Sequence, residues 1–107
     1  MSSTDLQQSV AAFMTANDLN PSLSARLHDL VSEVGELSKE LLKSTDYGQL
    51  EHRVSTQWIA ELGDVFYSLI TIANSTDVNL GEALAQSMAK YRKRIEAKGE
   101  PGSNEPE

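Results

Sequence analysis

The 107-residue chain contains no cysteine. Disulfide bonds and thiolate metal sites are therefore excluded, and any metal ion must be held by oxygen ligands or by the two histidines. The sequence also lacks a basic N-terminal segment followed by an apolar run. No apolar stretch is long enough to cross a bilayer. We therefore expect a cytoplasmic protein with no membrane partner.

Positive charge is also scarce, because 9 lysines and arginines face 16 acidic residues and give a formal net charge of −7. A protein that grips a nucleic acid polymer needs a basic face, so this class of partner is disfavoured. A phosphorylated small molecule is not excluded, since a bound metal ion reverses the charge of an acidic pocket. The total charge taken alone is adequately explained by solubility.

Strand-like alternation of polar and apolar residues is absent, and apolar residues recur instead at helical spacing. We predict a first helix from about Asp5 to Ala16, with Thr4 and Gln7 as its capping box. Asn20 followed by Pro21 predicts the start of a second helix. Asn79 with Glu82 predicts the cap of a fourth.

Apolar stripes define the second, third and fourth helices, and the third, from Trp58 to Ala73, has the widest apolar face. The length fits a single domain. We expect an all-α, four-helix bundle-like domain over residues 1–98, with the third helix at its centre. Residues 99–107 contain no apolar side chain and are predicted to form a disordered acidic tail.

Two pairs of acidic residues carry the chemistry. Glu33 and Glu36 are three residues apart on the second helix, and Glu61 and Asp64 are three apart on the third. Residues at this spacing point the same way on a helix. Each pair also directly precedes core positions, so it flanks an apolar stripe. If the two helices pack antiparallel, both pairs face one cleft.

Four crowded carboxylates repel one another unless positive charge offsets them. Magnesium and similar hard cations bind oxygen ligands and bridge carboxylates to phosphates, which favours a metal site. Solvated surface acids are the main alternative, and a salt bridge from Lys39 to Glu36 is another. The matching register of two such pairs favours metal binding.

The segments Leu30–Leu37 and Glu61–Val65 resemble the acidic motif of the MazG-like, all-α nucleotide pyrophosphohydrolases. The resemblance implies conversion of a nucleoside triphosphate to the monophosphate and pyrophosphate with Mg²⁺ or Mn²⁺. It also implies that Glu33, Glu36, Glu61 and Asp64 are the metal ligands and catalytic residues. The chain departs from the family at Ser32, where relatives carry a glutamate. It also departs at Ser68, where many relatives carry an aromatic residue.

Substrate-binding residues are predicted outside the acidic pairs. Lys90 and Arg94 resemble the family's basic K-x-x-x-R feature and are one helical turn apart, which suits phosphate oxygens. A favourable position near a helix C-terminus is the alternative explanation. Tyr47 lies in a turn between the second and third helices and is a candidate for stacking on a nucleobase. His28 and His52 are isolated and are interpreted as surface or structural residues.

The wide apolar face of the third helix predicts a homo-oligomer, either a dimer or a tetramer built from dimers. Two other functions remain open at this point. One is a non-enzymatic helical dimerisation or adaptor module with an acidic surface. The other is a di-iron oxidase, which is weakened by the absence of a Glu-x-x-His motif. An adaptor gives no reason for acidic pairs at matching core registers.

Overall fold

The computed structural model describes residues 1–103, and four α-helices account for most of them. They are α1 (Ser3–Ala16), α2 (Leu23–Ser44), α3 (Thr56–Ser75) and α4 (Leu80–Lys98). No strand occurs in this part of the chain, which confirms the all-α class. None of its helices is both long and apolar enough to cross a membrane. The tail predicted over residues 99–107 lies partly outside the described residues, which end at position 103.

Side-chain caps define where the helices begin. Ser22 and Ser55 accept hydrogen bonds from the third backbone N–H of α2 and α3, and Asn79 caps α4 as predicted. The capping box of α1 is Ser2 with Asp5, so the prediction of Thr4 and Gln7 was wrong. Asn20 was also a wrong prediction for the α2 cap.

The antiparallel pair α2–α3 forms the centre of the chain. Its register follows from contacts at one end, where the Arg26 Nη1 donates to the Thr71 carbonyl over 3.0 Å. The same guanidinium donates through Nε to the Pro21 carbonyl over 3.0 Å. Arg26 is only 7% exposed. Because a buried guanidinium needs its donors satisfied, this arginine fixes the start of α2 against the end of α3.

Helix α1 packs antiparallel to the second half of α3. The Phe13 and Tyr67 rings meet edge to face with centroids 6.1 Å apart. One turn from the other end of α1, Gln7 donates to the Val78 carbonyl over 2.8 Å and accepts from the Leu80 N–H over 2.9 Å. The Asn74 amide donates to the Gln7 carbonyl over 3.0 Å. Gln7 therefore ties α1 to the turn between α3 and α4. Helix α3 is central because it packs against both α1 and α2.

Helix α4 packs mainly against α1, so the four helices do not close into one bundle within the chain. The radius of gyration is 17.0 Å, whereas a compact chain of this length has about 13 Å. Four apolar residues on one stripe of α4 are largely exposed; they are Leu84, Met88, Tyr91 and Ile95.

Further apolar residues are exposed along α2 and α3. They include Leu27, Val31, Val34, Leu41, Leu42, Ile59, Leu62, Phe66 and Leu69. Successive helical residues turn by roughly 100°, which places these residues on the side of the α2–α3 pair opposite to Glu33 and Asp64. We call this surface the apolar face of the pair. Only Met14, Ile70 and Ala73 are buried apolar residues among those described.

Candidate metal centre

Three of the four predicted ligands meet at the seam between α2 and α3. One carboxylate oxygen from each of Glu33, Glu61 and Asp64 lies within 4.8 Å of the other two. We call these residues the carboxylate triad. The antiparallel packing brings the middle of α2 beside the middle of α3, and all three carboxyl groups project from the same side of the pair. The three provide an oxygen-only ligand set of the kind that hard divalent cations prefer.

The electrostatics of Glu33 reflect this crowding. Its pKa is raised above the ordinary value, first because partial burial disfavours the charged form. The neighbouring negative charges of Asp64, Glu61, Glu36 and Asp29 raise the pKa further, in that order. Because the ionised carboxylates of this site destabilise one another, a bound cation would lower the electrostatic energy of the site. The triad therefore fits a divalent metal in its accumulated negative charge as well as in its ligand type.

Glu36 is placed outside the triad but beside it. It lines a small cleft that also includes Glu61, where the end of α2 faces the start of α3. Gln57, one turn before Glu61, donates from Nε2 to the Glu61 Oε1 over 2.6 Å. This hydrogen bond fixes the Glu61 carboxylate and leaves its second oxygen available to a cation.

A larger pocket, with a volume of about 390 Å³, opens at the opposite end of the triad under the connection between α1 and α2. Asp29 and Ser68 line this pocket and lie one helical turn from Glu33 and Asp64 respectively. Met14, Leu19 and Tyr67 contribute apolar surface, and the buried Arg26 forms part of the wall. The pocket has the size of a small-molecule site.

The predicted substrate-binding residues are not brought to the triad within the chain. Lys90 and Arg94 both lie over the Tyr91 ring of α4, with distances of 4.8 Å and 5.9 Å to its centroid. Arg94 also donates from Nη1 to the Pro101 carbonyl over 3.2 Å. Tyr47 is 75% exposed in the connection between α2 and α3 and lines neither of the two clefts beside the triad.

Asp29 and Gln57 are the residues of the site that sequence reasoning missed. Both lie four residues before a member of the triad, so the spacing of an acid or amide one turn upstream was the available signal. The sequence suggested Lys39 only as a salt-bridge partner of Glu36. Within the described residues it forms no ion pair with that glutamate.

The chain is therefore an all-α protein in which a carboxylate triad between antiparallel helices offers the oxygen ligands that hard divalent cations prefer. Residues 22–97 match the family model of the MazG nucleotide pyrophosphohydrolase domain. The match spans more than half of the chain, which therefore belongs to the MazG family, and the resemblance seen in the sequence is confirmed. No curated protein and no solved structure matches the chain.

Proposed function

We propose that this protein is a metal-dependent nucleoside triphosphate pyrophosphohydrolase. The reaction adds water to a ribo- or deoxyribonucleoside triphosphate and gives the monophosphate and pyrophosphate. The observation that carries the proposal is the carboxylate triad. Its three residues belong to the acidic motif, and the chain belongs to the MazG family.

The proposed cofactor is Mg²⁺ or Mn²⁺, held by Glu33, Glu61 and Asp64 with Glu36 completing the set. The absence of cysteine and the carboxylate-only composition of the triad favour these hard cations over zinc. When bound, such an ion neutralises phosphate charge and acidifies water, which is the chemistry that cleavage of a phosphoanhydride requires.

The protein's own residues provide positioning. Gln57 holds the Glu61 carboxylate in one orientation through its 2.6 Å hydrogen bond. The antiparallel α2–α3 pair sets the spacing between Glu33 and Asp64 on two rigid elements, which favours a preorganised site. Position 32 carries an exposed serine in place of an acid, so a proton released from water must pass to one of the remaining carboxylates or to solvent.

The active unit is proposed to be a homodimer or a tetramer built from dimers. The apolar face of the α2–α3 pair and the apolar stripe of α4 are both exposed in the single chain, and each offers the other an apolar surface to bury. Two copies that exchange these contacts would form a closed, symmetric assembly. Lys90 and Arg94 are separated from the triad within one chain, so we propose that they approach the carboxylate triad of the other copy.

The function is tested by incubating the purified protein with each common ribo- and deoxyribonucleoside triphosphate in the presence of Mg²⁺ or Mn²⁺. The proposal expects pyrophosphate and the monophosphate as products, and it expects no turnover after chelation of the metal. Orthophosphate and a nucleoside diphosphate would reject the reaction. Complete inactivity combined with a melting temperature that is indifferent to metal would favour the adaptor alternative.

A further inference from the structure

The cleft beside Glu36 is the starting point. It has a volume of about 120 Å³ and lies between the last turns of α2 and the first two turns of α3. Its lining consists of Glu36, Lys39, Glu40, Lys43, Gln57 and Glu61. Glu61 belongs to both the cleft and the carboxylate triad, so a ligand in the cleft lies directly beside a cation held by the triad. We call this space the lysine cleft.

Two ammonium groups in the lysine cleft have no anionic partner among residues 1–103. Lys39 and Lys43 are four residues apart on α2 and therefore project from the same face, one turn apart. Within residues 1–103, neither lysine forms an ion pair with Glu36, Glu40 or Glu61. Glu61 instead accepts a hydrogen bond from Gln57. Two adjacent lysines without partners are suited to a ligand with several anionic oxygens.

The pocket at the other end of the triad differs from the lysine cleft in volume and in the side chains that line it. It is about three times larger, at about 390 Å³ against about 120 Å³. It carries apolar and aromatic surface from Met14 and Tyr67, whereas only polar and charged side chains line the lysine cleft. Its arginine, Arg26, is occupied with the carbonyls of Pro21 and Thr71. This pocket therefore suits the less charged part of a substrate.

We propose that Lys39 and Lys43 bind the leaving pyrophosphate. The substrate then lies in one direction only, from the larger pocket across the triad to the lysine cleft. This inference rests on the proposed function. Hydrolysis adds one water molecule across the anhydride between the α- and β-phosphates. The pyrophosphate then lies in the lysine cleft, and the monophosphate lies on the side of the larger pocket. The two lysines balance the charge that accumulates on the pyrophosphate, and they belong to the same chain as the triad.

The test measures product binding by isothermal titration calorimetry at saturating Mn²⁺, with no turnover involved. Pyrophosphate and four 2′-deoxynucleoside monophosphates are titrated separately into the wild-type protein and into Lys39→Gln, Lys43→Gln and the double variant. Lys93→Gln, on α4, removes the same charge elsewhere on the surface and is the matched control. Electron paramagnetic resonance of Mn²⁺ reports the metal affinity of each variant.

Loss of one charge-assisted contact is expected to raise the Kd of pyrophosphate about tenfold in each single variant. Monophosphate binding, Mn²⁺ affinity and the Lys93→Gln control are expected to stay unchanged. An unchanged pyrophosphate Kd would overturn the proposal, as would an equal loss for both products. A loss confined to the monophosphates would reverse the direction of the substrate. If the wild-type protein releases no pyrophosphate from any triphosphate, the proposed function fails on that result alone, and the binding data remain readable.

Discussion

Glu33 shows at the scale of one residue how the site stores unfavourable electrostatic energy. The carboxyl group is half-buried and faces Glu61 and Asp64 across the helix seam. Burial raises the pKa of this carboxyl most, and each of these charges raises it further. The arrangement therefore opposes folding whenever the metal is absent, and a bound cation removes the penalty.

Replacement of Glu33 by glutamine is expected to raise the melting temperature of the metal-free protein by a few degrees at neutral pH. Glutamine keeps the shape and removes the charge that the other carboxylates repel. The same variant is expected to lose the stabilisation that Mn²⁺ gives to the wild-type protein. Scanning fluorimetry in chelator and in excess Mn²⁺ measures both effects, and Glu96→Gln on α4 is the charge-matched control.

The effect of Glu33→Gln is expected to depend on pH. A raised pKa in the folded state means that folding favours the protonated form. The associated stability is complete below the ordinary value of 4.5 and is lost as pH rises through the raised value. The difference in melting temperature between variant and wild type should thus be small near pH 4 and larger near pH 7. A difference that is independent of pH would show that the charge of Glu33 is not its cause.

Asp64→Asn is expected to lower turnover by about 100-fold or more while leaving the helix content intact, because it removes a charged ligand without changing shape. Steady-state pyrophosphate release, circular dichroism and Mn²⁺ titration measure the three quantities. Asp77→Asn makes the same chemical change in the turn between α3 and α4 and is expected to keep full activity. Near-normal turnover in Asp64→Asn would remove Asp64 from the ligand set.

The acidic pairs were accessible from the sequence because helical spacing alone determines which carboxylates share a face. Their division into a triad and a neighbouring Glu36 was not accessible, because it depends on the register between two helices. The partners of Lys39 illustrate the same limit. Spacing along one helix made Glu36 the natural partner, whereas the structure leaves Lys39 without an ion pair among the described residues.

At the scale of the helices, Gln7 has a role that spacing did not reveal. Its position after Thr4 suggested a capping box, but Ser2 and Asp5 cap the helix two residues earlier. The Gln7 side chain is left free to reach Asn74, Val78 and Leu80, all distant in sequence. Long-range hydrogen bonds of this kind depend on how helices are arranged, which local patterns do not encode.

Gln7→Ala is expected to destabilise the protein by about 1–3 kcal/mol, because it leaves a backbone carbonyl and an N–H without their partners. The amide protons at the start of α4 should also exchange faster, since α4 is held mainly through this region. Urea denaturation and hydrogen–deuterium exchange measure these changes. Gln8→Ala is the control on an exposed neighbouring position. Equal effects of the two variants would contradict the role assigned to Gln7.

The start of α2 shows how two competing signals are resolved. Asn20 before Pro21 and Ser22 both suit the cap position. The structure uses Ser22, which accepts from the Ala25 N–H over 3.1 Å, while the Asn20 side chain faces Arg26. At Asn79 the prediction was correct, and its side chain accepts from the Glu82 N–H over 2.9 Å.

At the scale of the whole molecule, the single chain is open and incompletely buried. Its all-α class followed from periodicity, which depends on local sequence. The position of α4 did not follow, because an amphipathic stripe predicts that a helix buries one face but not which surface covers it. The sequence predicted a four-helix bundle-like domain, and the structure adds that α4 packs mainly on α1.

Leu84→Glu is expected to dissociate the proposed oligomer, because it places a charge in the exposed apolar stripe of α4 at its most exposed residue. Analytical ultracentrifugation at micromolar concentration measures the mass of wild type and variant. Gln86→Glu adds the same charge at an exposed polar position of α4 and should leave the mass unchanged. A wild-type protein that is monomeric and fully active would reject the association model.

The connection between α2 and α3 has a consequence for chemical synthesis. Asp46, Tyr47 and Gly48 have consecutive positive φ angles of 48°, 58° and 89°. This half of the backbone map is unfavourable to most L-residues but natural to their mirror images. A chain assembled from synthetic fragments with D-alanine at position 48 would lose freedom in the unfolded state without strain in the folded state. The same methyl group on L-alanine would be strained there, so position 48 distinguishes the two enantiomers of alanine.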